Sequence, residues 1–381
     1  MTVAQARRCF KVEAEDGRAR AGTLETAHGP VQTPVFMPVA TQATLKAMTH
    51  ADIEGLGVRA MLANAYHLYL RPGTDLIAKA GGLHAFMSYD GAILTDSGGF
   101  QVYSLADLRK VDEDGVTFKS HHDGSLHTLT PRKVIEIQSA LGSDMWATLD
   151  ECPAYPCDRK RADEALERTM RWTEESKEAF EREAGKREKR PLLFPILQGS
   201  VFPELRRKAA EHLMTIDPDG VSIGGFSVGE DKKLTWEALS ATTEALSKEK
   251  PRYLMGMGTP EDLWEAVGLG IDMMDCVWPT RVARHGQAMV RTGKLNLVNS
   301  AFREDFSPLD PDCQCWVCKK HTRAYLSHLF RSHEISAFQL VSHHNVCFLM
   351  DIMKEIRAAI VAGRFAGAKH EFFARYNRKS S

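Results

Sequence analysis

MMDCVWPT, residues 273–280, sets Met273, Met274, Val277 and Trp278 around one acid, Asp275. The apolar residues suit a strand buried on both faces. An ionised carboxylate among them is expensive unless it is paired or its charge is used. Seven similar runs precede it, each closing on Gly, Pro or a polar residue: PVFMPVA (34–40), RAMLANAY (59–66), AILTDSGG (92–99), DMWATLDE (144–151), LLFPILQGS (192–200), GVSIGG (220–225) and RYLMGMG (252–258). Eight near-continuous apolar runs predict eight parallel strands.

Helical patterns lie between several of them. Thr130-Pro131 offers a cap and a first-turn proline, after which Val134, Ile137 and Leu141 recur at helical spacing. Ala162, Leu166, Met170, Thr173 and Phe180 line a second helix face, and Leu205, Ala209 and Leu213 a third. Trp236, Leu239, Thr243 and Leu246 mark another, as do Leu263 and Val267. Strand and helix alternating, with eight strands, predict an α/β fold of the (β/α)8 TIM-barrel kind. A doubly wound open sheet is the alternative, but it usually needs fewer strands. The stretch VDEDGVTFKSHHDGSLHTLTP (111–131) alternates around D-G turns and predicts a hairpin inserted near 110–130. After residue 300 the rhythm gives way to a cysteine cluster and a helical segment carrying Leu349, Met353, Ile356 and Ile360. The expected division is a catalytic barrel over 1–300 and a zinc-binding subdomain over 301–381.

The composition, 43% hydrophobic and 26% charged over 381 residues, is that of a globular protein. No apolar run approaches the 20 or so residues of a membrane span. The N-terminus, MTVAQARRCFKVEAEDGRAR, is charged and lacks a secretory core, so the cytoplasm is the expected location. Net charge is −1, so nucleic acid would have to be met by a local basic patch.

Three of the eight cysteines crowd into CQCWVCKKH: Cys313, Cys315 and Cys318. Thiolates this close repel unless a cation holds them. SHHN (342–345) offers His343 or His344 as the fourth donor of a closed, tetrahedral, structural zinc site, with no open position for chemistry. In a barrel, strand C-termini build the active site. That rule selects Asp96 after the third strand, Asp150 after the fourth, Gln198 after the fifth, Gly224 and Gly225 after the sixth, Met255 and Gly256 after the seventh, and Asp275 on the eighth. Two converging carboxylates are the minimum set for displacement at an anomeric carbon, one as nucleophile and one moving protons. An Asp, a Gln and a backbone N–H match the donor and acceptor pattern of a guanine-like edge.

DSGGFQVYSL, DECPAYP, ILQGS, IGGFSVGE, MGMGTPEDL, DCVWPTRVAR and the C-x-C-x2-C cluster with its later HHN occur in this order along nearly the whole chain. Together they resemble the tRNA-guanine transglycosylases of bacterial type. The resemblance implies a (β/α)8 barrel with a zinc subdomain, one structural Zn2+ per chain held by Cys313, Cys315, Cys318 and His344, and His343 as a bystander. It implies that Asp275 attacks ribose C1′ and expels guanine, leaving a covalent tRNA–enzyme intermediate, and that Asp96 handles the proton of the incoming base. Asp96, Ser97, Gly98, Gly99, Asp150, Gln198 and Gly225 would form the base pocket, with Phe100 and Met255 sandwiching the base. Cys152 and Val228 match the bacterial pattern that selects 7-aminomethyl-7-deazaguanine, a queuosine precursor, over queuine, and Glu230 matches the acid that helps admit the aminomethyl group.

The implied partner is a tRNA with guanine at the anticodon wobble position in a U-G-U context, its base leaving the stack to react. Gly256, Met257, Gly258, Thr259, Pro260, Glu261 and Asp262, with Thr280, Arg281, Val282, Ala283 and Arg284, match the RNA-contacting stretches. Arg281, Arg284, His285, Arg291 and Lys294 would supply a local cationic strip. The resemblance also implies a homodimer. Trp278 departs from it, standing where the family more often has an aliphatic residue. Two other readings compete: a non-catalytic tRNA-binding subunit, which should have lost a catalytic Asp, and a zinc-dependent barrel hydrolase, which should carry metal ligands at its strand ends.

Overall fold

A computed structural model describes residues 9–105 and 109–376. Residues 1–8 of the stretch inspected for a secretory core lie outside the described residues. In chain order the strands are β1 (Phe10–Asp16), β2 (Ala19–Thr26), β3 (Gly29–Thr33), β4 (Val35–Pro38), β5 (Ala60–Ala63), β6 (Ala92–Thr95), β7 (Arg109–Val111), β8 (Val116–Lys119), β9 (Leu126–Leu129), β10 (Met145–Ala147), β11 (Leu192–Phe194), β12 (Ile196–Leu197), β13 (Val221–Ile223), β14 (Arg252–Leu254), β15 (Met273–Cys276), β16 (Gln287–Val290) and β17 (Gly293–Asn296).

The eight apolar runs all hold strands, and these form two parallel sheets. One has the order β11-β10-β6-β5 and the other β12-β13-β14-β15-β4. Strands such as β5, β6, β10, β13 and β14 are buried at every position, so no alternation of apolar and polar residues was needed to form them. The two sheets meet at both margins. β11 and β12 belong to one run, broken by Pro195, which has no N–H to donate to a ladder. At the other margin Val39, just past β4, makes a parallel bridge to Leu62 of β5.

The expected helices connect the strands. Pro131–Leu141 is capped by Thr130, whose hydroxyl accepts from the Lys133 amide at 3.1 Å. Arg159–Ala184, Pro203–Ile216, Lys232–Ala245 and Pro260–Gly268 follow in their places. The stretch expected as an inserted hairpin holds three antiparallel strands, β7-β8-β9. Two antiparallel pieces had no counterpart in the sequence reading, the sheet β1-β2-β3 and the hairpin β16-β17.

The helix Ile335–Val361 links two hydrophobic clusters. Val341 and Cys347 pack with Ala288, Val290, Leu295 and the cysteine loop, while Leu349, Ile352 and Ile356 join the core that contains Phe36 and Met274. No described helix is long and apolar enough to cross a membrane.

Candidate active site and metal centre

The polar residues chosen at strand ends come together. Asp96, Asp150, Gln198 and Asp275 are all buried, and they follow or sit on parallel strands running the same way. Asp275 pairs in register with Met37 near the end of β15. Its Oδ1 accepts from the Tyr253 hydroxyl at 2.5 Å and from the Gly256 amide at 2.7 Å. Burial pushes its carboxyl up to about 6, against those two donors, and the nearby charge of Asp96 adds to the rise.

Asp96 is the most heavily solvated by protein. Asn64 Nδ2 donates to it at 2.5 Å, the Ala65 amide at 2.8 Å and Gln101 Nε2 at 2.8 Å. Burial still raises its carboxyl above the usual range. Asp150 accepts from Ser97 Oγ at 2.8 Å and Gln198 Nε2 at 2.7 Å, and burial lifts it to about 6, helped by the charges of Asp96 and Glu151. Three carboxylates thus share one desolvated region, and the charge of Asp96 disfavours the ionisation of both Asp150 and Asp275. Such perturbed acids cluster where their charge is used.

Glycines permit this crowding. A Cβ on Gly99 would stand 2.9 Å from the Asp150 carbonyl and 3.2 Å from its Oδ1, and one on Gly98, at φ +77°, would meet Tyr66. A Cβ on Gly225, at φ +76°, would lie 2.3 Å from Gln198 Oε1. Only glycine fits these positions without displacing the polar groups. Phe100 is 46% exposed on the helix Gly99–Leu105, and Met255 is half-buried beyond β14.

Cys152 is buried, its thiol 3.8 Å from the Pro153 carbonyl. Glu230 is turned to its own loop, accepting from the Ser227 amide at 2.6 Å and the Val228 amide at 2.9 Å. Burial raises its carboxyl, but these amides and the Thr235 hydroxyl outweigh that and lower it. Glu230 therefore sets the conformation of the 227–230 turn, in which Ser227 has φ 60°.

The segments matched to RNA contacts divide by exposure. Gly256 is open, and Thr259 and Glu261 are half-buried. Met257, Gly258, Pro260 and Asp262 turn inward, Asp262 and Thr259 forming a reciprocal cap on the helix Pro260–Gly268. Thr280 and Ala283 are buried, Val282 and Arg284 half-buried, and Arg281 exposed. Arg291 is spent on Glu355, which it reaches with both arms. Lys294 lies 4.8 Å above the Trp278 ring. The expected cationic strip is thereby narrowed to Arg281, Arg284, His285 and Lys294.

Tyr253, Asn64 and Gln101 escaped the sequence reading. The strand-end rule that selects Asp96 applies equally to Asn64, at the end of β5. Tyr253, a polar-tipped aromatic within an apolar run, was the visible signal of a buried hydroxyl in search of a partner.

Cys313, Cys315, Cys318 and His344 place their donor atoms within 4.8 Å of one another. His344 Nε2 faces the Met289 carbonyl at 2.6 Å, so that nitrogen carries the proton and Nδ1 turns its lone pair to the thiols of Cys315 and Cys318, 3.6 and 3.2 Å away. Cys315 caps the helix Trp316–Lys320, its sulfur accepting from the Cys318 amide at 3.5 Å, and Cys313 Sγ accepts from the Cys315 amide at 3.5 Å. Amides aimed at sulfur favour thiolates, and three thiolates with one oriented imidazole fit a tetrahedral metal ion.

His343 is committed to Asp52 at 3.0 Å. Asn345 donates to the Pro279 and Gln287 carbonyls, both at 3.0 Å, and accepts from the Met289 amide at 2.9 Å, tying the metal-bearing helix to the chain just beyond Asp275.

A second group, His28, His84 and Asp144, also converges. Its imidazoles stack face to face at 3.5 Å and 14°, and both address the Asp144 carboxylate. His28 approaches one carboxylate oxygen at 2.7 Å and His84 the other at 3.1 Å. Burial raises the Asp144 carboxyl, yet these bonds and the Ile93 amide hold it down at about 2. The arrangement is that of a satisfied buried carboxylate.

The family model for queuine tRNA-ribosyltransferase matches residues 15–378. The chain is 52% identical over 369 residues to a queuine tRNA-ribosyltransferase of Caldanaerobacter subterraneus subsp. tengcongensis, covering 96% of this chain and 97% of that one. It is 52% identical over 362 residues to the one of Pelotomaculum thermopropionicum, covering 95% and 96%, and 51% identical over 359 residues to the one of Solibacter usitatus, covering 93% and 95%. A chain matched from end to end at this identity, with its buried acids at one set of strand ends, belongs to the queuine tRNA-ribosyltransferase family.

Proposed function

We propose that this transferase exchanges guanine at the wobble position of a tRNA anticodon for a 7-deazaguanine, 7-aminomethyl-7-deazaguanine, by double displacement on Asp275. The observation that carries the reading is the gathering of three buried acids, Asp275, Asp96 and Asp150, at the strand ends of a family member. Tyr253 and Gly256 both hold Oδ1 of Asp275, which leaves Oδ2 to attack ribose C1′. The C1′–N9 bond breaks as the C1′–O bond forms, and guanine departs with the electron pair. Asp96 then takes the N9 proton of the incoming base, whose nitrogen attacks C1′ and frees the carboxylate. Asp150 accepts from the N1–H and N2–H of the base, while Gln198 and the backbone at Gly225 donate to the 6-oxo group. Phe100 and Met255 cover its faces, and Cys152, Val228 and the Glu230-held turn bound the 7-substituent.

The two parallel sheets are best read as halves of a closed (β/α)8 barrel, supported by the run shared between β11 and β12 and by the Val39–Leu62 bridge. In that reading 1–300 is the catalytic part and 301–381 the metal subdomain. Zinc is the ion that the Cys3His set suits, and its contribution is to fold the loop. Asn345 extends that support to the segment Thr280–Arg284, where Arg281 and Arg284 meet the anticodon loop around U-G-U. A cytoplasmic homodimer completes the proposal.

Incubation with an anticodon stem-loop, radiolabelled guanine and unlabelled deazaguanines tests it. Label should enter the RNA and be chased out by 7-aminomethyl-7-deazaguanine, whereas an RNA that never takes up label overturns the activity.

A further inference from the structure

Arg206, on the helix Pro203–Ile216, is completely buried, and no carboxylate among the described residues pairs with it. Its Nε donates to the Ser200 carbonyl at 2.7 Å, and Nη1 to the carbonyls of Gly224 at 2.8 Å and Leu197 at 3.2 Å. Its guanidinium carbon lies 4.0 Å from the centre of the Phe226 ring. The remaining arm, Nη2, has no hydrogen-bond partner. A buried guanidinium with an idle donor is costly and calls for a use.

A second orphan stands beside it. Gln198 Oε1 is buried and equally without a partner, although Nε2 of the same amide donates to Asp150 at 2.7 Å. Both orphans face the bare α-carbon of Gly225: a Cβ there would lie 2.3 Å from Gln198 Oε1 and 3.1 Å from Arg206 Nη2. An idle donor and an idle acceptor thus flank one point in the base pocket.

Resting on the base-exchange reading above, we infer that Arg206 is a positioning residue that donates Nη2–H to Gln198 Oε1 when a base seats, and so fixes the pocket's preference for a 6-oxo purine. The amide then lies between opposite charges, its NH2 end on the Asp150 carboxylate and its carbonyl end on the guanidinium. Neither end can exchange places with the other. The second Nε2–H is left facing the base, where it meets a 6-oxo acceptor and opposes a 6-amino donor. Without Arg206 nothing holds the carbonyl end, and the amide can swing about its Asp150 contact and bring Oε1 towards the base.

Equilibrium dialysis of radiolabelled guanine against purified protein, with 2,6-diaminopurine as competitor, tests this. The wild-type chain should prefer guanine, and Arg206→Met should lose that preference at least tenfold while its thermal midpoint stays within a few degrees. An unchanged preference in Arg206→Met overturns the inference. Should that variant not fold, Arg206→Lys serves: it keeps the charge, but one nitrogen cannot hold the three carbonyls and Oε1 together. The same tenfold loss is expected of it, and wild-type preference in it overturns the inference. A wild-type protein that binds no guanine at all would instead defeat the base-exchange reading itself.

Discussion

Replacing Asp275 by Asn should stabilise the protein while removing its chemistry. Burial raises the Asp275 carboxyl from 3.8 to about 6, so at pH 7.5 the folded chain holds an ionised group it disfavours. A rise of about two units corresponds to about 3 kcal/mol at ~1.4 kcal/mol per unit. Asn keeps an acceptor for Tyr253 and Gly256 but a neutral one, which offsets about 1 kcal/mol. The net gain is about 2 kcal/mol. With an unfolding entropy of roughly 2 cal/mol/K per residue, that is a midpoint higher by about 2–3 °C in a chain of this length. The sign with pH is fixed by the direction of the shift. The penalty is complete above about 6, where folded and unfolded chains are both ionised, and disappears below 3.8, where both are protonated. Scanning calorimetry of both proteins between pH 4 and 7.5 should therefore show the advantage of Asp275→Asn fading as pH falls. A variant that melts below wild type at pH 7.5, by an amount independent of pH, would make Asp275 a structural acceptor and refute the reasoning.

Three further outcomes follow from the same geometry. The exchange rate should fall about tenfold per pH unit below about 6 as Asp275 protonates, and a rate that holds level down to pH 4 would show that its ionised form is not required. Cys318→Ser should lower bound metal from one ion per chain to a small fraction by elemental analysis. Through Asn345 it should also weaken stem-loop binding about tenfold in a filter assay, and full affinity in the metal-free variant would uncouple the two. Gly99→Ala places a methyl 2.9 Å from the Asp150 carbonyl, so guanine affinity should drop at least tenfold with about 1–2 kcal/mol of stability, and wild-type affinity would mean that the loop yields.

What could be read in the chain alone was what local pattern encodes. The nine strands of the two parallel sheets announce themselves as eight apolar runs, and Thr130-Pro131 announces its helix. The antiparallel sheet β1-β2-β3 was overlooked although FKVEAED alternates apolar and charged residues and D-G and H-G turns stand at 16–17 and 28–29, because a strand with one open face carries no continuous apolar run of the kind that marks the buried strands.

Polar site residues at strand ends were accessible to one rule, which was applied to the acids, the glycines, Gln198 and Met255 and not to Asn64. Arg206 was out of reach. It stands three and seven residues before Ala209 and Leu213, at the edge of the apolar stripe, where a long charged side chain ordinarily reaches solvent. Its burial depends on three carbonyls from other elements. Arg291 misled for the same reason, since its partner Glu355 lies 64 residues away and no local pattern announces it.

Everything in this account turns on a bond between an aspartate of this chain and an RNA sugar. Wild-type protein mixed with anticodon stem-loop RNA and a trapping base, then run on a denaturing gel, should give a retarded, nuclease-sensitive band that Asp275→Asn lacks. Vigorous base exchange with no such band under any trapping condition, or an equal band from Asp275→Asn, would contradict it.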